Sequence, residues 1–139
     1  MREEKKTDQL ETPPWLFNHF NRIFRFTIDA CASNANAMLN RRWTLDDNCL
    51  LKNWSDEIVW LNPPYSNPGP FLAKAPEAYA CVALVKGDPS TQWWQEHVEN
   101  KACMIWLPKR VKFYLGRKPT IHAASFPSVA LLYGITPRM

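Results

Sequence analysis

"CVALVK", residues 81–86, is an apolar run in which polar and apolar positions do not alternate. A strand covered on one face alternates, so this run reads as a strand covered on both, as in a parallel sheet between two layers of helix. The flanking segments keep that rhythm. "EIVWLN" (57–62) and "CMIWLP" (103–108) are further apolar strands, and "FRFTIDA" (24–30) alternates Phe24, Phe26 and Ile28 before an acid and small residues. "TPPWLFNHFNRIF" (12–24) sets Leu16, Phe17, Phe20 and Ile23 at helical spacing, with Thr12 as N-cap and Pro13 in the first turn. "PFLAKAPEAYA" (70–80) is helix-like but interrupted by Pro76, and "STQWWQEHVENKA" (90–102) opens with Ser90 or Thr91 as cap. "VKFYL" (111–115) and "SVALLYG" (128–134) add two strand candidates. The pattern predicts an α/β fold with a mostly parallel sheet and helices on both faces. Ligands bind such sheets at the carboxyl ends of the strands, and Asp29 and Asn62 both end strands facing one crevice.

The 139 residues suffice for one domain and one core, and 46% apolar with 22% charged residues is ordinary globular composition. No apolar run approaches the roughly 18 residues of a membrane span, and "MREEKKTDQLE" (1–11) is no signal peptide, so it reads as a solvated arm before a domain over 12–139. Cys31, Cys49, Cys81 and Cys103 show no metal-ligand spacing, which predicts reduced thiols in a cytoplasmic protein and no metal site. Residues 101–139 hold seven Lys and Arg and no Asp or Glu, so the net +4 is a C-terminal feature that fits a polyanionic partner or a solvated basic face equally. Trp60 and Trp106 lie inside strands and read as core; of the adjacent Trp93 and Trp94, one is expected outside. The histidines show no spacing for a base or ligand, and residues 86–90 read as a turn.

The chain leaves its second strand through Asn62, Pro63, Pro64 and Tyr65. Proline cannot donate to a ladder, so the strand ends there in a fixed direction, either to present something or to close a surface turn with Tyr65 packed on the core. Asn-Pro-Pro-Tyr after an apolar strand resembles the catalytic loop of S-adenosylmethionine-dependent amino-methyltransferases. In order along the chain, "TPPWLF", "FTIDACASNANA", "NCLLKNWSDEIVWLNPPYS", "VALVKGDPSTQWWQEHV" and "IWLPKRVKF" resemble successive segments of the phage N-6-adenine DNA methyltransferase (Dam-like) family, over roughly residues 12–134.

That resemblance implies a compact Rossmann-like class I methyltransferase with few strands, transferring methyl from S-adenosylmethionine to the N6 amine of adenine in DNA. It makes Asn62, Pro63, Pro64 and Tyr65 the catalytic loop, in which the Asn62 side-chain oxygen and the Pro63 carbonyl accept the amine's hydrogens while Tyr65 stacks on the flipped base. Thr12, Pro13, Asp29, Ala30 and Cys31 would line the methionine end of the cofactor, Asp47 would meet its adenine amine, and Lys109, Arg110 and Lys112 would face phosphate. No membrane or metal partner is implied, and the compartment is the bacterial host cytoplasm. With no room for a separate target-recognition domain, sequence choice falls to short loops, a second subunit as in a homodimer, or unselective phosphate contacts, which predicts weak or short-site specificity. The loop "DACASNANA" departs from the glycine-rich pattern of many methyltransferases, and Lys109 stands where glycine is common. The alternatives are the same chemistry on RNA adenine, cytosine or protein glutamine, and a catalytically silent DNA-binding module.

Overall fold

The computed structural model describes residues 6–134. Five strands form one sheet: Ile28–Asp29 (β1), Ile58–Leu61 (β2), Ala80–Lys86 (β3), Cys103–Trp106 (β4) and, after the separate hairpin of Tyr114–Leu115 (β5) and Lys118–Pro119 (β6), Ser128–Tyr133 (β7). Their spatial order is β1-β2-β3-β7-β4. β1 and β3 flank β2 in parallel, whereas β7 pairs antiparallel with both β3 and β4. The sheet is therefore mixed and not mostly parallel, although β4 still runs in the direction of β1 to β3. The difference arises after β4, where the chain turns back and slots β7 between two earlier strands. An apolar run buried on both faces looks the same in either direction, so the sequence pattern could not show the reversal.

Helices cover both faces. Along β3, Val82 and Leu84 meet Leu16, Phe17 and Phe20 of the helix Pro14–Phe24 (α1), together with Trp60 and Ala130. Cys81, Ala83 and Val85 point the other way, into a core shared with Leu72 of Gly69–Lys74 (α2) and Trp94 of Gln92–His97 (α3). This two-sided burial is why residues 81–85 never alternate. Pro13, not Thr12, takes the N-cap position of α1, its carbonyl accepting from Leu16 and Phe17 N–H at 3.1 and 3.3 Å, while Pro14 is the first helical residue. Thr91 caps α3 by accepting from Trp94 N–H at 3.3 Å. A single helical turn, Ala75–Glu77, follows α2 where Pro76 interrupts it.

Trp60 is 1% exposed, but Trp106 is 46% exposed, because β4 is the last strand of the sheet. Its ring still lies against Trp94, 5.7 Å between centroids, and occupies the space above Gly87, where a Cβ would come within 2.0 Å of it. Part of the expected arm, residues 1–5, lies outside the described residues; the remainder is fastened down. Asp8 accepts from the Ser66 N–H and hydroxyl at 2.9 and 2.5 Å, and Glu11 exchanges backbone hydrogen bonds with Tyr114 at 2.7 and 2.8 Å. Among the described residues no helix is long and apolar enough to cross a membrane.

Candidate active site

The carboxyl ends of β1 and β2 stand side by side, with Asp29 paired in register to Trp60. Segment 41–43 runs along the free edge of β1: Asp29 N–H donates to Arg41 O at 3.2 Å, and Trp43 N–H donates to Asp29 O at 2.9 Å. A two-pronged ion pair between Arg41 and Glu57 fixes that segment to the start of β2 and holds the Glu57 carboxyl below its usual range. Between the end of β1 and residues 43–50 opens a cleft of about 890 Å³. Its walls include Ala30, Cys31, Ser33, Trp43, Leu50 and Phe71, a mixed apolar and polar lining suited to a drug-sized ligand.

A recess of about 20 Å³, room for about one water, adjoins the cleft and is lined by Thr12, Asp29, Asn36, Met38, Trp60 and Asn62 among others. Glu11, Cys31, Asn36 and Asn62 line both spaces. Asp29 is 3% exposed; burial pushes its carboxyl up to about 6, against the opposing pull of the Met38 and Cys31 backbone N–H groups and the Arg42 charge. Met38 N–H donates to Asp29 Oδ2 at 2.9 Å. Thr12 is also buried, and its Oγ1 has no hydrogen-bond partner among the described residues. An orphaned hydroxyl and a carboxyl starved of water at the edge of a cleft form a polar socket whose unmet demand a cationic, hydrogen-bonding ligand group would meet.

An ionised Asp29 is a standing cost to the fold. Below pH 3.8, its ordinary value, the group is protonated folded or unfolded; as pH rises toward about 6 only the unfolded chain ionises, so stability is lost across that window. Asp29→Asn is expected to stabilise the protein above the window by on the order of 2 kcal/mol and to flatten the pH dependence within it, read by urea denaturation across pH. An equal slope in both proteins would mean that Asp29 is solvated.

Asn62 directly follows β2, and its side-chain amide makes no hydrogen bond among the described residues while lining cleft and recess together. Pro63 is buried and Pro64 lines the cleft. Tyr65 does not line it. The residue is 9% exposed and its ring packs edge-on against Phe113 and Phe126 at 5.9 and 5.7 Å, with the hydroxyl unpartnered among the described residues and pushed well above its ordinary value by burial. In this state Tyr65 packs on the core and presents no stacking face. Pro13 is buried beside Thr12, at the head of α1. Asp47 is also turned away, its carboxylate accepting from Thr44 N–H and hydroxyl at 2.8 and 3.2 Å, while Asp46 lines the cleft. Two adjacent acids in "LDDN" give no sequence signal for which one faces inward.

Lys109, Arg110 and Lys112 are exposed on the loop after β4, alternating with Val111, which is buried; the Arg110 guanidinium is spent on the Ser125 carbonyl. Sequence reasoning missed the other cleft residues. Asn36 is set by a reciprocal turn, accepting from Ser33 N–H at 2.7 Å and donating its own N–H to Ser33 Oγ at 3.1 Å, a pattern legible in the Ser-x-x-Asn spacing. Leu115 and Gly116 reach the cleft from the β5–β6 hairpin, whose Gly116 and Arg117 both have positive φ, 59° and 66°. Such a pair marks a type I′ turn, for which the lone glycine of "LGRK" was the clue. No group of three or more His, Cys, Asp or Glu is placed to hold a metal among the described residues.

This geometry can be set beside known proteins. A curated DNA N-6-adenine-methyltransferase of Haemophilus phage HP1 (strain HP1c1) is 32% identical over 112 residues, 74% of this chain and 65% of the relative. Another of that description, from Escherichia phage T1, is 36% identical over 91 residues, 62% of this chain and 38% of the relative. The chain therefore spans less than two thirds of the length of either. The family model described as DNA N-6-adenine-methyltransferase (Dam) matches residues 2–133, nearly all of the chain, and the protein accordingly belongs to that family.

Proposed function

We propose that the cleft binds S-adenosylmethionine and that the Asn62 corner directs its methyl group to the N6 amine of adenine in DNA. The observation that carries this is the unspent Asn62 amide at the junction of a ligand-sized cleft and the socket of Asp29 and Thr12. The two phage relatives are named for the same reaction, and family membership supports the methyl donor. The residues present fit that donor: the buried Asp29 carboxyl suits an ammonium group, Thr12 Oγ1 lacks a partner among the described residues, and Trp43, Leu50 and Phe71 offer apolar wall to an adenosine. When bound, the donor supplies an electrophilic sulfonium methyl.

Everything else falls to the chain. An adenine amine is a poor nucleophile because its lone pair is delocalised into the ring. Asn62 Oδ1 and the Pro63 carbonyl accept its two hydrogens and so favour a pyramidal nitrogen with an available lone pair; the two prolines fix the acceptors relative to each other. Asp8, by accepting twice from Ser66, holds the far end of the same loop. Asp29 holds its ligand as a carboxylate, so donor affinity is expected to rise with pH up to about 6 and then level off. Target choice within this domain rests on short loops, and the site needs neither metal nor membrane.

Incubation with the donor and unmethylated DNA, then nucleoside mass spectrometry, tests the reaction. N6-methyladenine supports it, and label in RNA, cytosine or protein glutamine instead redirects it. One observation favours a second reading, a silent DNA-binding module: Tyr65 packed away from the cleft. Retention of DNA without heat from the donor would decide for that module. For DNA contact, Lys109 and Lys112 carry exposed ammonium groups with no ion pair among the described residues. Lys109→Ala with Lys112→Ala should lower the slope of log affinity against log salt by about 2, and an unchanged slope moves the footprint elsewhere.

A further inference from the structure

Two thiols meet in the wall of the cleft. Cys31, just beyond β1, and Cys49, which opens a single helical turn over Cys49–Leu51, have their Sγ atoms 3.8 Å apart, and both line the cleft. The chain between them supplies one whole side of that cleft, including Ser33, Asn36, Trp43 and Asp46. The positions are held from outside the pair. Trp54 Nε1 donates to the Cys49 carbonyl at 2.8 Å, while Ala32 N–H donates to Trp43 O at 3.1 Å and Ala30 N–H to Trp60 O at 3.0 Å. Among the described residues neither other cysteine makes such a sulfur–sulfur contact: Cys81 is fully buried in β3, close enough to Cys31 for its charge to be felt there, and Cys103 stands exposed on the edge strand.

We infer that Cys31 and Cys49 are a modification site, a dithiol that hydroperoxides convert to a disulfide across the foot of the cleft wall. The pair is polarised for it. The hydrogen bond from Cys31 holds Cys49 below the ordinary thiol range, with the Lys74 charge adding to the effect, so Cys49 supplies the thiolate. Cys49 Sγ attacks the peroxide, breaking the O–O bond, and becomes a sulfenic acid; the distal oxygen leaves as water or alcohol after protonation. Cys31 Sγ then displaces the sulfenic oxygen as water and forms the S–S bond. Two thiols lose two electrons and two protons, and the peroxide gains both. Bonded sulfurs lie about 2.05 Å apart, so closure draws the turn at 49–51 toward the end of β1 and tightens the loop that walls the cleft. In a reducing compartment such a bond is transient, as redox-sensing disulfides are.

The chemical step does not depend on what the cleft binds. Its consequence rests on the cofactor reading above: the disulfide form should bind S-adenosyl ligands more weakly. The test treats the reduced chain with hydrogen peroxide, alkylates remaining thiols and maps peptides without reductant. The expected result is a peptide joining Cys31 to Cys49, lost on reduction with dithiothreitol, formed equally in Cys103→Ser and absent in Cys31→Ser. In parallel, calorimetry with S-adenosylhomocysteine should record at least a tenfold loss of affinity on oxidation and its return on reduction. Alkylatable Cys31 and Cys49 after oxidation, or sulfinic acids without the link, would overturn the site, and the wild-type map decides this even if a variant misfolds. A link that forms with unchanged affinity overturns the coupling to the cleft. A reversible link in a chain that binds no adenosyl ligand even when reduced upholds the modification site and removes the cofactor reading instead.

Discussion

Asn62→Ala is expected to lower methyl transfer to adenine by about 10²- to 10³-fold while leaving donor affinity nearly unchanged. The magnitude is that of removing one prearranged hydrogen-bonding group from a water-poor site, where its partner's charge changes as the reaction proceeds. The separation of the two effects follows from placement. The amide takes no part in hydrogen bonds among the described residues, so deleting it leaves the end of β2 intact, and the donor's cationic group is assigned to Asp29. Single-turnover formation of N6-methyladenine gives the rate, and calorimetry with the donor gives the affinity. A variant that methylates at the parental rate removes Asn62 from the chemistry. One that loses both quantities together makes Asn62 a structural support of the cleft.

Trp60→Ala should cost about 3–5 kcal/mol of stability, the range for deleting a buried large aromatic. Native domains hold only about 5–15 kcal/mol in reserve, so this single change brings the fold near its limit. Trp60 is the hub of an aromatic cluster: Phe17 and Phe26 approach its ring edge-on at 5.3 and 5.4 Å, and Phe20 lies at 6.3 Å. Among the described residues α1 is the only helix packed on that face, and its buried residues are Leu16, Phe17 and Phe20, so a cavity at Trp60 loosens the whole helix. The recess suffers as well, because Trp60 lines it beside Asp29. Urea denaturation monitored by circular dichroism measures the loss, with Trp15→Ala, at a side chain 60% exposed, expected within about 0.5 kcal/mol of the parent. A loss at Trp60 as small as at Trp15 would mean that the cluster adapts without a void.

What the sequence made legible was mostly local. The unalternating "CVALVK" marked a strand covered on both sides, Thr91 and Pro76 marked where helices start and stop, and the prolines after Asn62 marked the end of β2. Asp29 and Asn62 were expected to share a crevice, and they line one recess. What failed depended on distant partners. Trp106 reads as core because it lies inside an apolar strand, yet that strand is last in the sheet and nothing in its own segment reveals that. The resemblance made Tyr65 a stacking residue, with packing on the core as the other reading of the loop; Phe113 and Phe126, far along the chain, hold it inside. Asp8 and Glu11 look like solvated charge until Ser66 and Tyr114 are brought to them. Direction of pairing is likewise invisible in a segment, which is why β7 alone turned a parallel expectation into a mixed sheet.

The insertion of β7 between β3 and β4 sets the order of events during synthesis. Every partner of β7 precedes it, from Cys81, which meets Tyr133, to Trp106, which meets Val129. Until residues 128–133 leave the ribosome, the apolar strand β3 has one bare hydrogen-bonding edge and β4 has no strand partner among the described residues. Pairings this far apart in the chain form slowly, and an open apolar edge in the meantime invites sticking to other nascent chains. Yield of native protein should therefore depend on chaperone supply and on slow, cool expression more than on the stability of the finished fold.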